Sequence, residues 1–261
     1  MIEDVRLYMF CGGEVRPRNP APGADATPRP IIWFALTHPR GTVVIDGGNA
    51  PEVAVDVGAH WGKINELSIT TMAPEQAAVP SLRSVGIDPD DVRWIVQSHL
   101  HLDHTGGVAE IDEFPNAQVL VTRTEYEWAH HPDAFNDMTY VQADFVKPGV
   151  PWVLLEDFED GWDVFGDGVL RCWRTPGHAA GHQSFEVNLP SGDSYLLAID
   201  AANTVAEIEG RELAGIMVSA TDYTRSVQRL HRLAWRADAT IVAGHDPVQW
   251  ATFKHAPDHY A

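Results

Sequence analysis

Short apolar runs recur along the chain, and Gly, Pro, Asn or Asp bounds most of them. These runs are rich in Val, Ile, Leu and aromatic residues, a composition typical of strands that pack on one or both faces. Nine strands are predicted on this pattern, at residues 31–36, 42–45, 94–97, 118–121, 152–155, 169–173, 184–189, 195–199 and 240–243.

A helical period separates only some of these strands. It predicts helices over residues 74–85, 124–130 and 222–236. The third is the clearest, because Arg and His lie opposite an apolar face made of Val227, Leu230, Leu233 and Ala234. Strands therefore dominate, and the pattern predicts a layered α/β protein with mixed sheets rather than a regular βαβ repeat.

The segment 16–30 is rich in Pro and Gly and predicts a long loop or flap. Too little chain precedes it to form a separate domain. The sequence shows no internal repeat and no low-complexity segment. We therefore expect one domain over residues 1–261, which is large enough to bury a core without a disulfide or a structural metal.

Charge and cysteine usage narrow the choice of partners and compartment. With 18 Lys and Arg against 37 Asp and Glu, the net charge of −19 predicts no nucleic-acid partner. It also disfavours strongly anionic substrates, unless a metal reverses the local sign. No apolar run reaches the roughly 20 residues that span a bilayer, and the acidic start MIEDVRLYMF does not resemble a signal peptide. Because the only cysteines are Cys11 and Cys172, we expect a cytoplasmic protein without a membrane partner.

The densest group of titratable residues is the stretch SHLHLDHTGG at residues 98–107, directly after a predicted strand. Alternate residues of an extended segment point the same way, so His99 and His101 can bind one ion. Asp103 and His104 lie past the turn and can face a second ion. Imidazole and carboxylate at this density suit Zn²⁺, with Fe, Mn or Co as alternatives.

Three further predicted strands end in candidate ligands. They contribute His178 in TPGH, Asp200 in AID and His245 in AGHD. A single His or Asp at a strand end is more often a cap or a satisfied polar group. Four such strand ends along one chain instead predict a shared metal site, because α/β sheets keep their sites at the carboxyl ends of strands.

The same stretches resemble the metallo-β-lactamase superfamily, and within it the N-acyl-homoserine lactonases, especially their γ-butyrolactonase-like branch. The likeness covers essentially the whole chain. Besides HxHxDH, it is carried by VIDGGN at 44–49, TPGHAAGHQS at 175–184, LAIDAA at 197–202, RSVQ at 225–228, GHDP at 244–247 and FKHAP at 253–257.

The resemblance implies an αβ/βα sandwich of two mixed β-sheets flanked by helices, with two divalent metal ions between the sheets. One ion would be held by His99, His101 and His178, and the other by Asp103, His104 and His245. Asp200 would bridge the two. The implied activity opens a small neutral lactone, an N-acyl-homoserine lactone (quorum quenching) or γ-butyrolactone, through attack of a hydroxide held between the ions. A homodimer is compatible with this likeness alone.

Substrate contacts are less sharply indicated. Three residues after the bridging aspartate these lactonases usually carry a tyrosine that binds the substrate carbonyl, whereas this chain has Asn203. Its amide can also donate, but it is shorter. We expect Asn203 to donate to the oxyanion and Asp103 to protonate the leaving alkoxide. An acyl pocket is predicted around Leu102 and Trp33, together with Phe34, His60, Trp61 and Met72.

Three other polar residues have competing interpretations. Asp46 either accepts a hydrogen bond from a ligand histidine or forms a turn, whereas His182 and Asp246 favour structural roles. For the whole protein, two alternatives stay open: hydrolysis of another lactone or ester, with the substrate shifted by Asn203, and metal binding without turnover. An exported class B β-lactamase, a glyoxalase II with a helical C-terminal region, a basic nuclease and a flavin-linked redox member all fit the sequence less well.

Overall fold

The computed structural model describes residues 4–22, 25–156, 158 and 161–261. Twelve strands form within these residues: β1 (Arg6–Pro17), β2 (Arg29–Thr37), β3 (Thr42–Ile45), β4 (Ser68–Thr71), β5 (Val92–Val96), β6 (Gln118–Thr122), β7 (Trp152–Leu155), β8 (Trp162–Asp163), β9 (Leu170–Arg174), β10 (Gln183–Asn188), β11 (Ser194–Ile199) and β12 (Thr240–Ala243). The α-helices are α1 (Val53–Trp61), α2 (Ala78–Ser84), α3 (Gly106–Ala109), α4 (Arg123–His130), α5 (Gln142–Phe145), α6 (Val205–Ile208), α7 (Ala220–Ala237) and α8 (Pro247–Trp250).

The strands form two mixed sheets, as the pattern predicts. The larger sheet has the order β4-β1-β2-β3-β5-β6-β7, and the smaller has the order β12-β11-β10-β9-β8. In the larger sheet, β3, β5, β6 and β7 run parallel, while β1 pairs antiparallel with β2 and β4. In the smaller sheet only β11 and β12 are parallel.

Alternation along the strands separates two kinds of core, as expected for period-two side chains. One face of β2, with Ile32, Phe34 and Leu36, packs between the sheets against residues of β10 and β11 such as Phe185 and Leu197. The opposite face of the larger sheet packs against α2 and α3. The smaller sheet in turn packs its outer face against α7. The layers are therefore helix, sheet, sheet and helix, which confirms the predicted sandwich.

Three strands were not predicted. β1 carries the pair Gly12-Gly13, which resembles a turn, but the structure places a register shift between Cys11 and Glu14. The strand thereby pairs with β2 on both sides of the shift, from Arg6 to Val15, and with β4 from Glu14 to Pro17. β4 and β8 have four and two residues, too short to give a clear period.

The helices differ from the prediction over residues 74–85 and at five helices that were not predicted, namely α1, α3, α5, α6 and α8. The segment 74–85 is split into a 3₁₀ turn, Pro74–Gln76, and α2, because Ala77 adopts an extended conformation between them. α1 was not predicted, and its period is broken by a kink at Asp56. Among the described residues, none of the helices combines the length and the apolar character that a membrane span requires.

Candidate metal centre

Asp46, directly after β3, forms hydrogen bonds to the loop that follows β5. One Asp46 oxygen accepts the backbone N–H of Ser98 (2.7 Å), and the other accepts the Ser98 hydroxyl (2.8 Å) and lies 3.0 Å from Nδ1 of His104. Asp46 is fully buried, with a left-handed backbone (φ 66°). Of the two interpretations of Asp46, the structure therefore supports the acceptor for a ligand histidine.

Close backbone packing places this loop against β3. The Gly106 N–H donates to the Gly48 carbonyl (2.7 Å), and the Gly107 N–H donates to the Asp46 carbonyl (3.0 Å). A Cβ at Gly47, which has φ 103°, would overlap the backbone of Gly107. The glycines around the HxHxDH motif are therefore required by the approach of two backbones and not by the chemistry of a ligand.

All seven predicted ligands converge at the carboxyl ends of β5, β9, β11 and β12. Their ligand atoms form three overlapping groups, and the atoms of each group lie within 4.8 Å of one another. The groups are His99, His101 and His178; His99, His104 and Asp200; and Asp103, His104 and His245.

Asp200 lies between the two predicted ligand sets. Its Oδ2 is 3.1 Å from Nε2 of His178, whereas its Oδ1 is 3.1 Å from Nε2 of His245 and 3.4 Å from Nε2 of His104. One carboxylate thus faces both sets with different oxygens. This is the position that the sequence predicts for a bridging ligand.

The imidazole rings are oriented by their outer nitrogens. Nδ1 of His178 lies 3.0 Å from the Ile216 carbonyl, and Nδ1 of His245 lies 2.8 Å from the Pro30 carbonyl. A carbonyl oxygen can only accept, so each Nδ1 carries the proton and each Nε2 presents a lone pair to the cluster. Such partners fix the tautomer and direction of metal-ligating histidines.

The residues fit divalent cations. Buried atoms without a hydrogen-bond partner include Nε2 of His99, Nε2 of His104 and Oδ1 of Asp200. Nδ1 of His101 lies 2.9 Å from Nε2 of His178, a gap between two ring nitrogens that a proton or a cation must fill. Unpaired buried polar atoms are costly, and a set of imidazoles and carboxylates suits Zn²⁺.

The electrostatic environment differs between the histidines of the two predicted sets. Burial and the neighbouring imidazoles lower the pKa of His99 and of His101 well below the usual value. Burial opposes a charge on His104 and His245 too, but Asp103 and Asp200 outweigh it and raise their pKa. Burial likewise opposes a charge on Asp200, yet His245, His104 and His178 hold its pKa well below the usual range. Asp200 is therefore ionised, and His99 and His101 are neutral.

His182 and Asp246 have the structural roles expected of them. Nε2 of His182 accepts the backbone N–H of Asp200 (3.2 Å), and its Nδ1 lies 3.0 Å from the Thr175 hydroxyl. Burial lowers the pKa of His182 to about 3, so this ring is neutral. Asp246 caps α8 by accepting the backbone N–H groups of Val248 and Gln249.

The predicted substrate contacts do not share one environment. Leu102 packs with Trp61, Ile31 and Met72 beside the ligand loop. The Asn203 carbonyl accepts the backbone N–H of His245 (2.8 Å), and its side-chain Oδ1 is buried without a hydrogen-bond partner.

Trp33 requires a correction. Its side chain is 0% exposed and stacks on Phe10, with ring centroids 4.2 Å apart, on the face of the larger sheet that packs against helices. This burial makes Trp33 a core residue rather than a substrate contact. Phe34 belongs to the core between the sheets, so it does not line a pocket either.

Several supporting groups were not found from the sequence. The carbonyls of Pro30 and Ile216 could not be predicted, because every residue has a backbone carbonyl and the residue type does not mark it. The Ser98 hydroxyl lies 2.9 Å from Nδ1 of His99, and the buried Glu125 contacts two of the ligand-bearing loops. Glu125 belongs to the stretch RTEYEWAH, whose pattern predicts only a short polar helix.

Comparisons with known proteins agree with this geometry. The family model of the metallo-beta-lactamase superfamily matches residues 26–245. The N-acyl homoserine lactonase AttM of Agrobacterium fabrum is 47% identical over 265 residues and is covered to 99%, as is this chain. The N-acyl homoserine lactonase AiiA of Bacillus thuringiensis subsp. kurstaki is 32% identical, with 97% of this chain and 98% of the relative covered.

A solved structure is similar along its whole length. It is an N-acyl homoserine lactone hydrolase with the product N-hexanoyl-L-homoserine bound at its catalytic metal centre. Its TM-score is 0.83 at 26% identity, and 98% of each chain is covered. The chain therefore belongs to the metallo-β-lactamase superfamily, and within it to the family of the N-acyl homoserine lactonases.

Proposed function

We propose that this protein is a dinuclear metal-dependent lactonase that opens the ring of N-acyl homoserine lactones, a quorum-quenching activity. The observation that carries the proposal is Asp200, whose two oxygens face the two sets of predicted ligands. The substrate class is supported by relatives such as AttM, at 47% identity over nearly the whole chain. γ-Butyrolactone has the same ring without the acylamino substituent and is the second substrate to be tested.

The seven residues of the cluster would hold the two ions, for which Zn²⁺ suits the donor set. When bound, such ions supply acidified water and polarise a carbonyl oxygen. His99, His101 and His178 contribute neutral imidazoles to one set. Asp103, His104 and His245 form the other, and the Asp200 carboxylate offsets the positive charge between them.

Asp103 is the residue best placed to move a proton. Its side chain is 18% exposed, against 7% or less for His104, His245 and Asp200. The overall reaction adds one water across the ester: its oxygen becomes bonded to the acyl carbon, and the bond from that carbon to the ring oxygen breaks. Asp103 would take up a proton from that water and pass it to the leaving alkoxide, so that the product is a hydroxy acid.

Asn203 and Leu102 would contact the substrate. The backbone of Asn203 is fixed, because its N–H donates to the buried Glu207 carboxylate (2.6 Å) and its carbonyl accepts from His245. The amide is thus held beside the ligand set that contains His245, where it can donate to the carbonyl oxygen of the lactone. Leu102, together with Trp61 and Met72, supplies apolar surface for an acyl chain.

The overall charge suits this reaction. A neutral lactone approaches a protein of net charge −19 without repulsion, whereas the carboxylate of the opened product is repelled. Both cysteines are free, which supports the cytoplasm as the compartment. A homodimer rests on the family likeness alone, and light scattering on the same preparation tests it.

The deciding experiment is a pH-stat assay on protein of measured metal content. It uses γ-butyrolactone and short- and long-chain N-acyl homoserine lactones, with Asn203→Tyr beside the native chain. Acid release by the native chain is expected, because an amide can replace the phenol as a donor. If metal-loaded native protein leaves every lactone intact, the proposed activity is wrong. Release by the variant alone would then identify Asn203 as the cause.

A further inference from the structure

Glu125, in the first turn of α4, is a completely buried carboxylate that belongs to neither set of predicted ligands. One of its oxygens accepts the backbone N–H of Leu100 (3.0 Å) and the hydroxyl of Tyr140 (3.3 Å). The other oxygen accepts the backbone N–H of Gly181 (2.9 Å). A buried carboxylate is costly unless such donors compensate it.

The two backbone donors come from different ligand loops. Leu100 lies between His99 and His101, on the loop that follows β5 of the larger sheet. Gly181 lies on the turn between β9 and β10 of the smaller sheet, three residues after His178. One carboxylate therefore joins the loops that bring His101 and His178 together.

Tyr140 extends this connection to a ligand ring. Its side chain is buried, and its ring packs edge-on against His101, with centroids 4.8 Å apart and an interplanar angle of 69°. Because its hydroxyl donates to Glu125, the same carboxylate also holds the aromatic wall on which His101 rests.

The contact at Gly181 leaves little freedom. The Thr122 hydroxyl donates to the Gly181 carbonyl (2.7 Å) and accepts the backbone N–H of Glu125 (3.2 Å) as the cap of α4. A Cβ at Gly181 would overlap the backbone nitrogen of Glu125. The start of α4 is thus fixed to the second loop at two points, and the Glu125 side chain reaches from there to the first.

We infer that Glu125 is a positioning residue that sets the separation of His101 and His178, and thereby the metal affinity of the set His99, His101 and His178. The two facing ring nitrogens lie 2.9 Å apart, so a small shift of either loop changes the site. The inference rests on the proposed metal-dependent function. Glu125 itself touches no substrate.

The test compares Glu125→Gln with Glu186→Gln. Glu186 is also a buried carboxylate, but its partners lie outside the ligand loops: the Trp173 indole (2.9 Å), the Arg236 guanidinium (3.1 Å), the Asn188 amide (3.2 Å) and the Arg171 guanidinium (3.8 Å). Metal-free proteins are titrated with Zn²⁺ against a chromophoric chelator, and thermal unfolding is followed without metal. In Glu125→Gln, the side-chain NH2 faces one of the two backbone N–H groups from which Glu125 accepts a hydrogen bond. Because both groups are donors, they repel each other, and the loops are expected to move apart.

We expect Glu125→Gln to weaken one of two Zn²⁺ equivalents by about 10- to 100-fold, the usual effect of removing a group that orients a ligand. Glu186→Gln should leave both affinities unchanged, even if it lowers the unfolding temperature as much. Tyr140→Phe, which removes only one donor, should weaken the same equivalent less and serves if Glu125→Gln does not fold. Unchanged affinities in whichever of Glu125→Gln and Tyr140→Phe folds would overturn the inference.

The wild-type protein separates this outcome from failure of the proposed function. If it binds two equivalents of Zn²⁺ and opens no lactone, the proposed activity fails, and the affinity loss in Glu125→Gln still supports the positioning role. If it binds no Zn²⁺ at all, both proposals are overturned.

Discussion

The two sheets contribute to the metal cluster in different ways. The larger sheet supplies His99, His101, Asp103 and His104 from six consecutive residues, whereas the smaller sheet supplies His178, Asp200 and His245 from three separate strand ends. The supports differ too. His104 and His99 are oriented by the side chains of Asp46 and Ser98, but His178 and His245 are oriented by backbone carbonyls. The histidines of the larger sheet can thus be disturbed through their supporting side chains, and those of the smaller sheet only by moving a loop.

The largest effect is expected at Asp200, whose two oxygens face the two predicted ligand sets. Asp200→Asn removes the charge that faces His178, His104 and His245 together. We expect lactone turnover to fall by about 100- to 1,000-fold, the scale seen when an electrostatic group of an active site is lost. Elemental analysis should show metal lost from the purified variant. Full turnover with full metal content would show that Asp200 is not part of the site.

The second-largest effect is expected at Asp46, the side chain that supports His104 of the larger sheet. Asp46→Asn keeps the size of the residue but places an amide where one oxygen accepts from both Ser98 and His104. Zn²⁺ affinity should fall by about 10- to 100-fold, because the orientation of His104 is lost. Chelator competition measures it. An affinity equal to that of the wild type would mean that the motif holds itself without support.

Asn203 separates a backbone role from a side-chain role on the side of the smaller sheet. Asn203→Ala retains the carbonyl that accepts from His245, so metal affinity should not change. The loss of one hydrogen bond to the reacting carbonyl costs about 1.4 kcal/mol, which lowers kcat/KM about 10-fold. Steady-state kinetics at saturating Zn²⁺ measure this effect. A loss of metal in place of a loss of rate would contradict the assignment.

The turn after His104 has a side-chain support of its own. The Thr105 hydroxyl donates to Asp144 (2.7 Å), and Asp144 lies 2.9 Å from Nε2 of His60. The hydrogen bond to Asp144 raises the pKa of His60 above its unfolded value. This stabilisation is complete below about pH 6.5 and is lost as the pH rises through the folded pKa. His60→Gln should therefore be less stable than the wild type by about 1 kcal/mol at pH 6, and the difference should shrink by pH 9. Urea unfolding at both pH values checks the sign.

The smallest effect is expected at Ile216, the counterpart of Asp46 on the side of the smaller sheet. Ile216→Ala truncates a half-exposed side chain but keeps the backbone carbonyl that orients His178. Zn²⁺ affinity should change by less than about twofold, since surface truncations seldom disturb a site. If Ile216→Ala weakened binding as much as Asp46→Asn, the contrast between the two sheets would be wrong.

The sequence was most informative where a local pattern carries the chemistry. HxHxDH and the three strand ends predicted all seven residues of the cluster, and short apolar runs between turn residues predicted nine strands of the two mixed sheets. Trp33 shows the limit, because alternation divides a strand into two faces without saying which one meets the helices. The carbonyls of Pro30 and Ile216 show another, since a backbone acceptor is the same at every residue. Gly12-Gly13 concealed β1, because a register shift and a turn use the same residues.

The hydrogen bond between His245 and the Pro30 carbonyl joins positions 215 residues apart. A nascent chain leaves the ribosome from its N-terminus, and the HxHxDH motif emerges well before β12 is made. Contacts of such long range form late, since the loop between them must close first. The predicted set Asp103, His104 and His245 is therefore incomplete until β12 has been made and has joined the sheet. Occupancy of both predicted sets would thus be a signature of molecules in which the second and the last strand of the sandwich have already come together.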